Sequence, residues 1–146
     1  MFVDSKWATN FTVRETDCCT HYEIMTVSFR PHYLPREFGQ ITVILVYVPG
    51  PNFALAAERI AACYNKAQRH SVDDPIFLLG DFNKCVMSTH LPNLEQYVNC
   101  PTRKDKILDQ CFGNVEGAYV PRSRPPLGRS DHNIIHLLPK YATVRS

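Results

Sequence analysis

The chain has 146 residues, 45% hydrophobic and 21% charged, which is the composition of one soluble globular domain. Sixteen Lys and Arg against fourteen Asp and Glu leave a formal net charge of +2, excluding a histone-like or heavily acidic character. The excess is unevenly placed: residues 1–99 carry eight basic and ten acidic side chains, residues 100–146 eight basic and four acidic. Such a tail is ordinarily a solvated face, and a polyanion is the specific partner it would suit.

No apolar run approaches the roughly 18 residues of a membrane span, and the N-terminus lacks a basic segment followed by an apolar one. The expectation is an intracellular chain, nuclear or cytoplasmic and not secreted, with no membrane partner and no obligate protein partner. Cys18, Cys19, Cys63, Cys85, Cys100 and Cys111 contain no C-x-x-C pair. They read as reduced thiols, several of them small core residues.

Phe11 to Arg14 and Tyr22 to Phe29 alternate apolar with polar residues and predict a half-buried antiparallel pair, the second strand ending at Pro31. Ile41 to Val48 is almost continuously apolar or β-branched, as in a strand covered on both faces, and stops at Pro49-Gly50-Pro51. Asn52 can cap a helix in which Phe53, Ala56, Ala57, Ile60, Ala61, Tyr64 and Ala67 recur at helical spacing. After Asp73-Asp74-Pro75, Ile76 to Leu79 reads as a short buried strand. Strand, helix and strand in that order make a βαβ crossover, which brings the carboxyl ends of two parallel strands to one edge of a sheet. Ligands of open α/β sheets bind beyond that edge. Tyr47 closes the first strand and Gly80-Asp81-Phe82-Asn83 follows the second, so a phenol, a carboxylate and a carboxamide are expected within reach of one another.

Gly-Asp-Phe-Asn alone is an ordinary turn sequence. Further along, Leu127-Gly128-Arg129-Ser130-Asp131-His132 sets an acid beside an imidazole just before the apolar strand Ile134 to Leu138. By itself an Asp-His pair is usually a turn with a surface histidine. An Asp able to ligate a divalent cation beside a His able to take a proton from water is nevertheless what metal-assisted hydrolysis needs. Asp109, inside the strand-like Lys106 to Phe112, requires a partner in such apolar surroundings, and orienting an imidazole would supply one.

Together, Val46-Tyr47-Val48-Pro49, Gly80-Asp81-Phe82-Asn83, Ile107-Leu108-Asp109 and Ser130-Asp131-His132 resemble, in order, the motifs of the endonuclease/exonuclease/phosphatase family. With Tyr33-Leu34-Pro35-Arg36-Glu37-Phe38, Thr102-Arg103 and Pro126-Leu127-Gly128, the chain is similar to the endonuclease domain of non-LTR (LINE-type) retrotransposons over nearly all of residues 1–141. The resemblance implies an α/β (α+β) fold, a partial four-layer α/β sandwich of the DNase I-like type lacking its N-terminal strands, with residues 142–146 a tail. It also implies a site: His132 acting on the attacking water, as general base or as a transition-state hydrogen-bond donor, Asp109 orienting it, Asp131 assisting a Mg2+ ion, Asp81 and Asn83 holding nucleophile and scissile phosphate, and Tyr47 contacting the phosphate. Arg103, Arg122, Arg124 and Arg129, with Lys104 and Lys106, would hold the DNA backbone, Arg122-Ser123-Arg124 being read as a basic loop. The implied reaction is in-line hydrolysis of a DNA phosphodiester, the nick exposing a 3′-hydroxyl that primes reverse transcription.

Complete family members place an Asn and the principal magnesium-ligating Glu on earlier strands, and neither has a counterpart here. Met1-Phe2-Val3 reads instead as a strand entering the second half, and the surroundings of Glu15 and Glu23 do not match the ligand strand. Three functions stay open: a magnesium-dependent DNA endonuclease domain, active only in a longer product; a phosphoesterase acting on a lipid or inositol phosphate; and a catalytically dead remnant that at most binds nucleic acid. The isolated chain is expected to be poorly stable, with sheet edges and apolar faces uncovered.

Overall fold

A computed structural model describes residues 1–140; the expected tail, 142–146, lies outside them. The elements in chain order are β1 (Ala8–Cys19), β2 (Tyr22–Pro31), β3 (Ile41–Tyr47), α1 (Phe53–His70), β4 (Ile76–Asp81), β5 (Glu95–Gln96), β6 (Asp109–Gly113), β7 (Tyr119–Arg124) and β8 (Ile134–Pro139). Six strands form one sheet in the order β1-β2-β3-β4-β6-β5, and β7 and β8 form a separate antiparallel pair. This is the mixed α/β class expected from the sequence.

The crossover forms as the periodicity predicts. Asn52 caps α1, its side-chain oxygen accepting from the Leu55 N–H, and β3 and β4 are parallel with Tyr47 opposite Asp81. Val46, Ile44, Ile24, Leu78 and Phe112 turn toward the helix and join Ala56, Ala57, Ile60 and Tyr64 in the largest core cluster. A second cluster lies on the other face, where Ile135 and Leu137 of β8 pack against Phe77, Tyr97 and Cys111 and so dock the small pair onto the large sheet.

Three expectations need correction. Met1 to Asp4 are not a strand; the first begins at Ala8 and runs to Cys19, far beyond Phe11 to Arg14. Most of β1 is exposed because it is an edge strand, and two register shifts, at Thr9/Thr12 and Val13/Glu15, interrupt its ladder with β2. Edges broken in this way are poor templates for further pairing. Second, Arg122-Ser123-Arg124 is not a loop but the end of β7, paired with Ile134 to His136. Third, Gly80 and Asp81 belong to β4 itself and not to a turn after it. Gly80 has φ +146°, and a Cβ there would lie 1.9 Å from the Val46 carbonyl oxygen, so only glycine lets β4 approach β3 up to the last residue.

All six cysteines are free; Cys63, Cys85 and Cys111 are buried, while adjacent Cys18 and Cys19 are exposed. No helix among the described residues is long and apolar enough to cross a membrane.

Candidate active site at the carboxyl edge of the sheet

The ladders deliver one row of side chains to the end of the sheet. Glu23 pairs with Tyr47, Tyr47 with Asp81, and Asp81 with Asp109. Residues in register on neighbouring strands point to the same face, so these four share the face opposite α1. The end of β4 is fixed on both sides: the Val48 N–H donates to the Asp81 carbonyl at 2.9 Å, and the Phe82 N–H to the Leu108 carbonyl at 2.9 Å. Asn83 follows at φ +50°, its N–H donating to Asp81 Oδ1 at 3.0 Å and its carboxamide to the Pro49 carbonyl at 3.5 Å. Asn and Asp tolerate this left-handed backbone because a short polar side chain can bond the chain locally.

His132 arrives from the loop preceding β8. Its Nδ1 lies 2.6 Å from Asp109 Oδ2, and its backbone N–H donates to Ser130 Oγ at 3.1 Å. A carboxylate can only accept, so in the neutral ring the proton sits on Nδ1 and Nε2 carries the lone pair, with Asp131 Oδ1 3.7 Å away. The bond to Asp109 holds the imidazole pKa above its ordinary value, with smaller support from the charges of Asp109, Asp81 and Asp131. Asp81 is shifted upward by partial burial first and by the facing Asp109 carboxylate second, against the lowering effect of the Asn83 N–H.

The structure brings Asp81, Asp109 and His132 together, one ligand atom from each lying within 4.8 Å of the others. Two carboxylates at this separation offer the hard oxygen donors that Mg2+ takes, and a cation between them would relieve their mutual repulsion, which adds to the effect of burial on Asp81. The residues therefore fit a divalent ion, which Asp81 and Asp109 would hold. Asp131, expected as the metal ligand, stands outside this group. It is largely exposed and ion-paired with Arg103 Nε at 2.8 Å, and its other oxygen is 3.7 Å from His132 Nε2. Glu23 lies two strands from Asp81, about 10 Å at ordinary strand spacing, which is too far to share an ion with it.

Of the expected phosphate-contacting groups, Tyr47 is 47% exposed on the same row. Arg103 is tied to Asp131 in the turn closed by the Arg103–Lys106 bridge. Arg122 and Arg124 project from β7, Arg124 paired with Ile134 only two residues from His132, and Arg129 is exposed in the loop before it.

Thr102 carries a structural duty that its place in the Thr102-Arg103 motif did not reveal. It is fully buried, and its hydroxyl oxygen accepts from the Leu108 and Asp109 N–H groups at 2.9 and 3.1 Å. Its carbonyl accepts the Asn133 N–H at 2.6 Å. One residue thus ties the strand carrying Asp109 to the segment carrying His132. A threonine just before an apolar segment that contains a lone acid is the sequence signal that could have pointed to it.

A mixed sheet with a parallel βαβ unit continued by an antiparallel strand is a fold of the endonuclease/exonuclease/phosphatase type. Solved structures share it: a family protein of that name from Bacteroides thetaiotaomicron (11% identity, TM-score 0.54, covering 86% of this chain and 64% of its own); a mannosyl-6-phosphatase of the same organism (12%, 0.55, 88% and 67%); and the human Nocturnin catalytic domain with bound sulfate (16%, 0.54, 90% and 59%). The chain thus spans roughly two thirds of the length of the structures it matches. No family model matches the chain, and no curated protein is similar to it in sequence.

Proposed function

We propose that this chain carries a Mg2+-dependent DNA-nicking site of the retrotransposon endonuclease type, in which Asp81 and Asp109 would hold the metal. The observation that supports it most is the 2.6 Å bond from His132 to Asp109, with Asp81 beside both. An imidazole whose Nδ1–H is held by a carboxylate has its Nε2 ready to take a proton, as a general base requires. When bound at Asp81 and Asp109, a divalent cation supplies neutralisation of charge developing on the phosphate oxygens.

The residues then divide the work. His132 Nε2 takes a proton from the attacking water as its oxygen forms a bond to phosphorus. The bond from phosphorus to the 3′ oxygen breaks, and that oxygen takes a proton from a solvent water, leaving a 3′-hydroxyl and a 5′-phosphate. Asp109 stabilises the imidazolium so formed. The Asn83 carboxamide and the Tyr47 hydroxyl are donors for the nonbridging oxygens. Arg122, Arg124 and Arg129, close in the fold to the His132 loop, favour a long polyanion over a small phosphate ester.

The test is incubation of the purified chain with supercoiled plasmid and Mg2+. The expected result is conversion to nicked circles that EDTA and His132→Ala both abolish. Release of phosphate from inositol phosphates without nicking would replace this reading by that of a small-molecule phosphatase. Inertness toward both, in a chain whose His132 pKa is still raised, would leave a folded remnant without activity and overturn the endonuclease reading.

A further inference from the structure

At the opposite end of the same strands, under the last turns of α1, lies a cavity of about 390 Å³ that the proposed nicking site does not use. Thr42, the second residue of β3, is on its floor, whereas Tyr47, the last, is at the active-site edge. Along this face of the sheet Ile24, Ile44 and Val46 are buried against the helix, but the pattern changes at Thr26, Ser28 and Thr42. The described residues include four buried polar side chains, and three of them are these floor residues; the fourth is Thr102. The Ser28 and Thr42 hydroxyls bond each other at 3.0 Å, while Thr26 Oγ1 is buried with no hydrogen-bond partner. Above them α1 contributes Cys63, Lys66, Ala67 and His70; Cys63 and Ala67 are small, and helix and sheet stand apart where larger apolar residues would have closed the gap. Burial pushes the Cys63 thiol up to about 11, leaving it a neutral group in the wall.

The rim is charged and unequal. Lys66 is paired with Glu15 at 3.5 Å, but the Arg14 guanidinium makes a single 3.3 Å bond to the Gln40 carboxamide oxygen and, among the described residues, no ion pair. One cation is therefore uncompensated beside a floor of hydroxyls. We propose that this cavity binds a small polyhydroxylated molecule bearing one anionic group, a sugar phosphate or a sugar acid, with the anion on Arg14 and the hydroxyls over Thr26, Ser28 and Thr42. The size fits: pockets for small ligands begin at about 300 Å³. Buried polar groups are ordinarily satisfied, and a hydroxylated ligand supplies what the protein does not give Thr26.

Calorimetric titration of the whole chain in EDTA, with ribose 5-phosphate and with gluconate as probes and ribose and inorganic phosphate as controls, tests the assignment. At least one of the two hydroxylated anions is expected to bind at least tenfold more tightly than either control, and the better of them identifies the head group as phosphate or carboxylate. Arg14→Ala and the near-isosteric Thr26→Val should each weaken that binding tenfold or more, with an unfolding midpoint no lower than the parent's in Thr26→Val, while His132→Ala keeps it. Equal binding of inorganic phosphate, no binding of either probe at 10 mM, or loss of binding in His132→Ala would each overturn the proposal. The last outcome would place the ligand at the other end of the sheet.

Discussion

Asp81 and Asp109 are direct cross-strand partners in the β4–β6 ladder, so two carboxylates face each other on one rung where an opposite charge or an apolar pair would have been more stable. Replacing Asp81 by Asn keeps the oxygen that accepts the Asn83 N–H and removes one charge. Asp81→Asn is expected to raise the unfolding free energy at pH 7 by up to about 1 kcal/mol while abolishing divalent-ion binding. Because the folded pKa of Asp81 is raised, its penalty is full above that pKa and disappears as pH falls below the ordinary 3.8. The advantage of the Asn variant should therefore vanish in acid, which urea titrations at pH 7 and pH 3 would measure.

His132 has the opposite linkage. Its pKa is raised by the bond to Asp109, so the pair adds stability that is fully present below the unfolded value of 6.5 and is lost as pH rises through the folded pKa. Asp109→Asn should bring the His132 titration, followed by imidazole proton NMR, down toward 6.5. An unmoved titration would mean that the 2.6 Å bond does not hold the ring.

Thr102→Val removes the acceptor for two N–H groups, one on a buried residue, and is expected to cost about 1–3 kcal/mol. It should also lower the His132 pKa, because Asp109 loses its anchor. Thr102→Ser keeps the oxygen and should restore the titration, at a cost of about 0.8 kcal/mol for the missing methyl. A Val variant that loses stability but keeps the parent His132 pKa would make Thr102 a core residue only.

Gly80→Ala places a methyl carbon 1.9 Å from a backbone oxygen, and no side-chain rotation relieves it. The strands must part, with a destabilisation of about 3 kcal/mol, at the upper end of overpacking costs. A lower urea midpoint with unchanged slope would report this. Asp81, the next residue, should lose its place opposite Asp109, seen as a fall in the His132 pKa as one neighbouring charge moves away.

If the chain binds DNA, Arg122→Ala with Arg124→Ala should weaken it to a similar extent on all sequences and reduce the salt slope by about 0.9 for each phosphate that is no longer neutralised. His132→Ala should remove cleavage and leave binding largely intact. Filter binding over a range of salt concentrations separates the two. Binding that vanished with His132 but survived replacement of both arginines would reverse these roles.

The crossover was legible in the sequence because its signals are local. The helical spacing from Phe53 to Ala67, the Asn52 cap and the apolar run Ile41 to Val48 each act within a few residues, and a right-handed connection then leaves one way to set β3 beside β4. Asp109 was legible as an acid in need of a partner for the same reason: the cost of burying a charge does not depend on where the partner lies in the chain. Tertiary structure decided what depends on pairing at a distance. β7 was invisible because Pro121 and the charged Arg122 and Arg124 mask a strand held by β8. Asp131 turned to Arg103, 28 positions earlier, instead of to the metal-capable group, since a guanidinium in reach outweighs proximity to His132 along the chain. Register, which no local pattern sets, put Tyr47, Asp81 and Asp109 on one rung and left Thr26, Ser28 and Thr42 under the small side chains of α1, where a change of one residue would have faced each of them the other way.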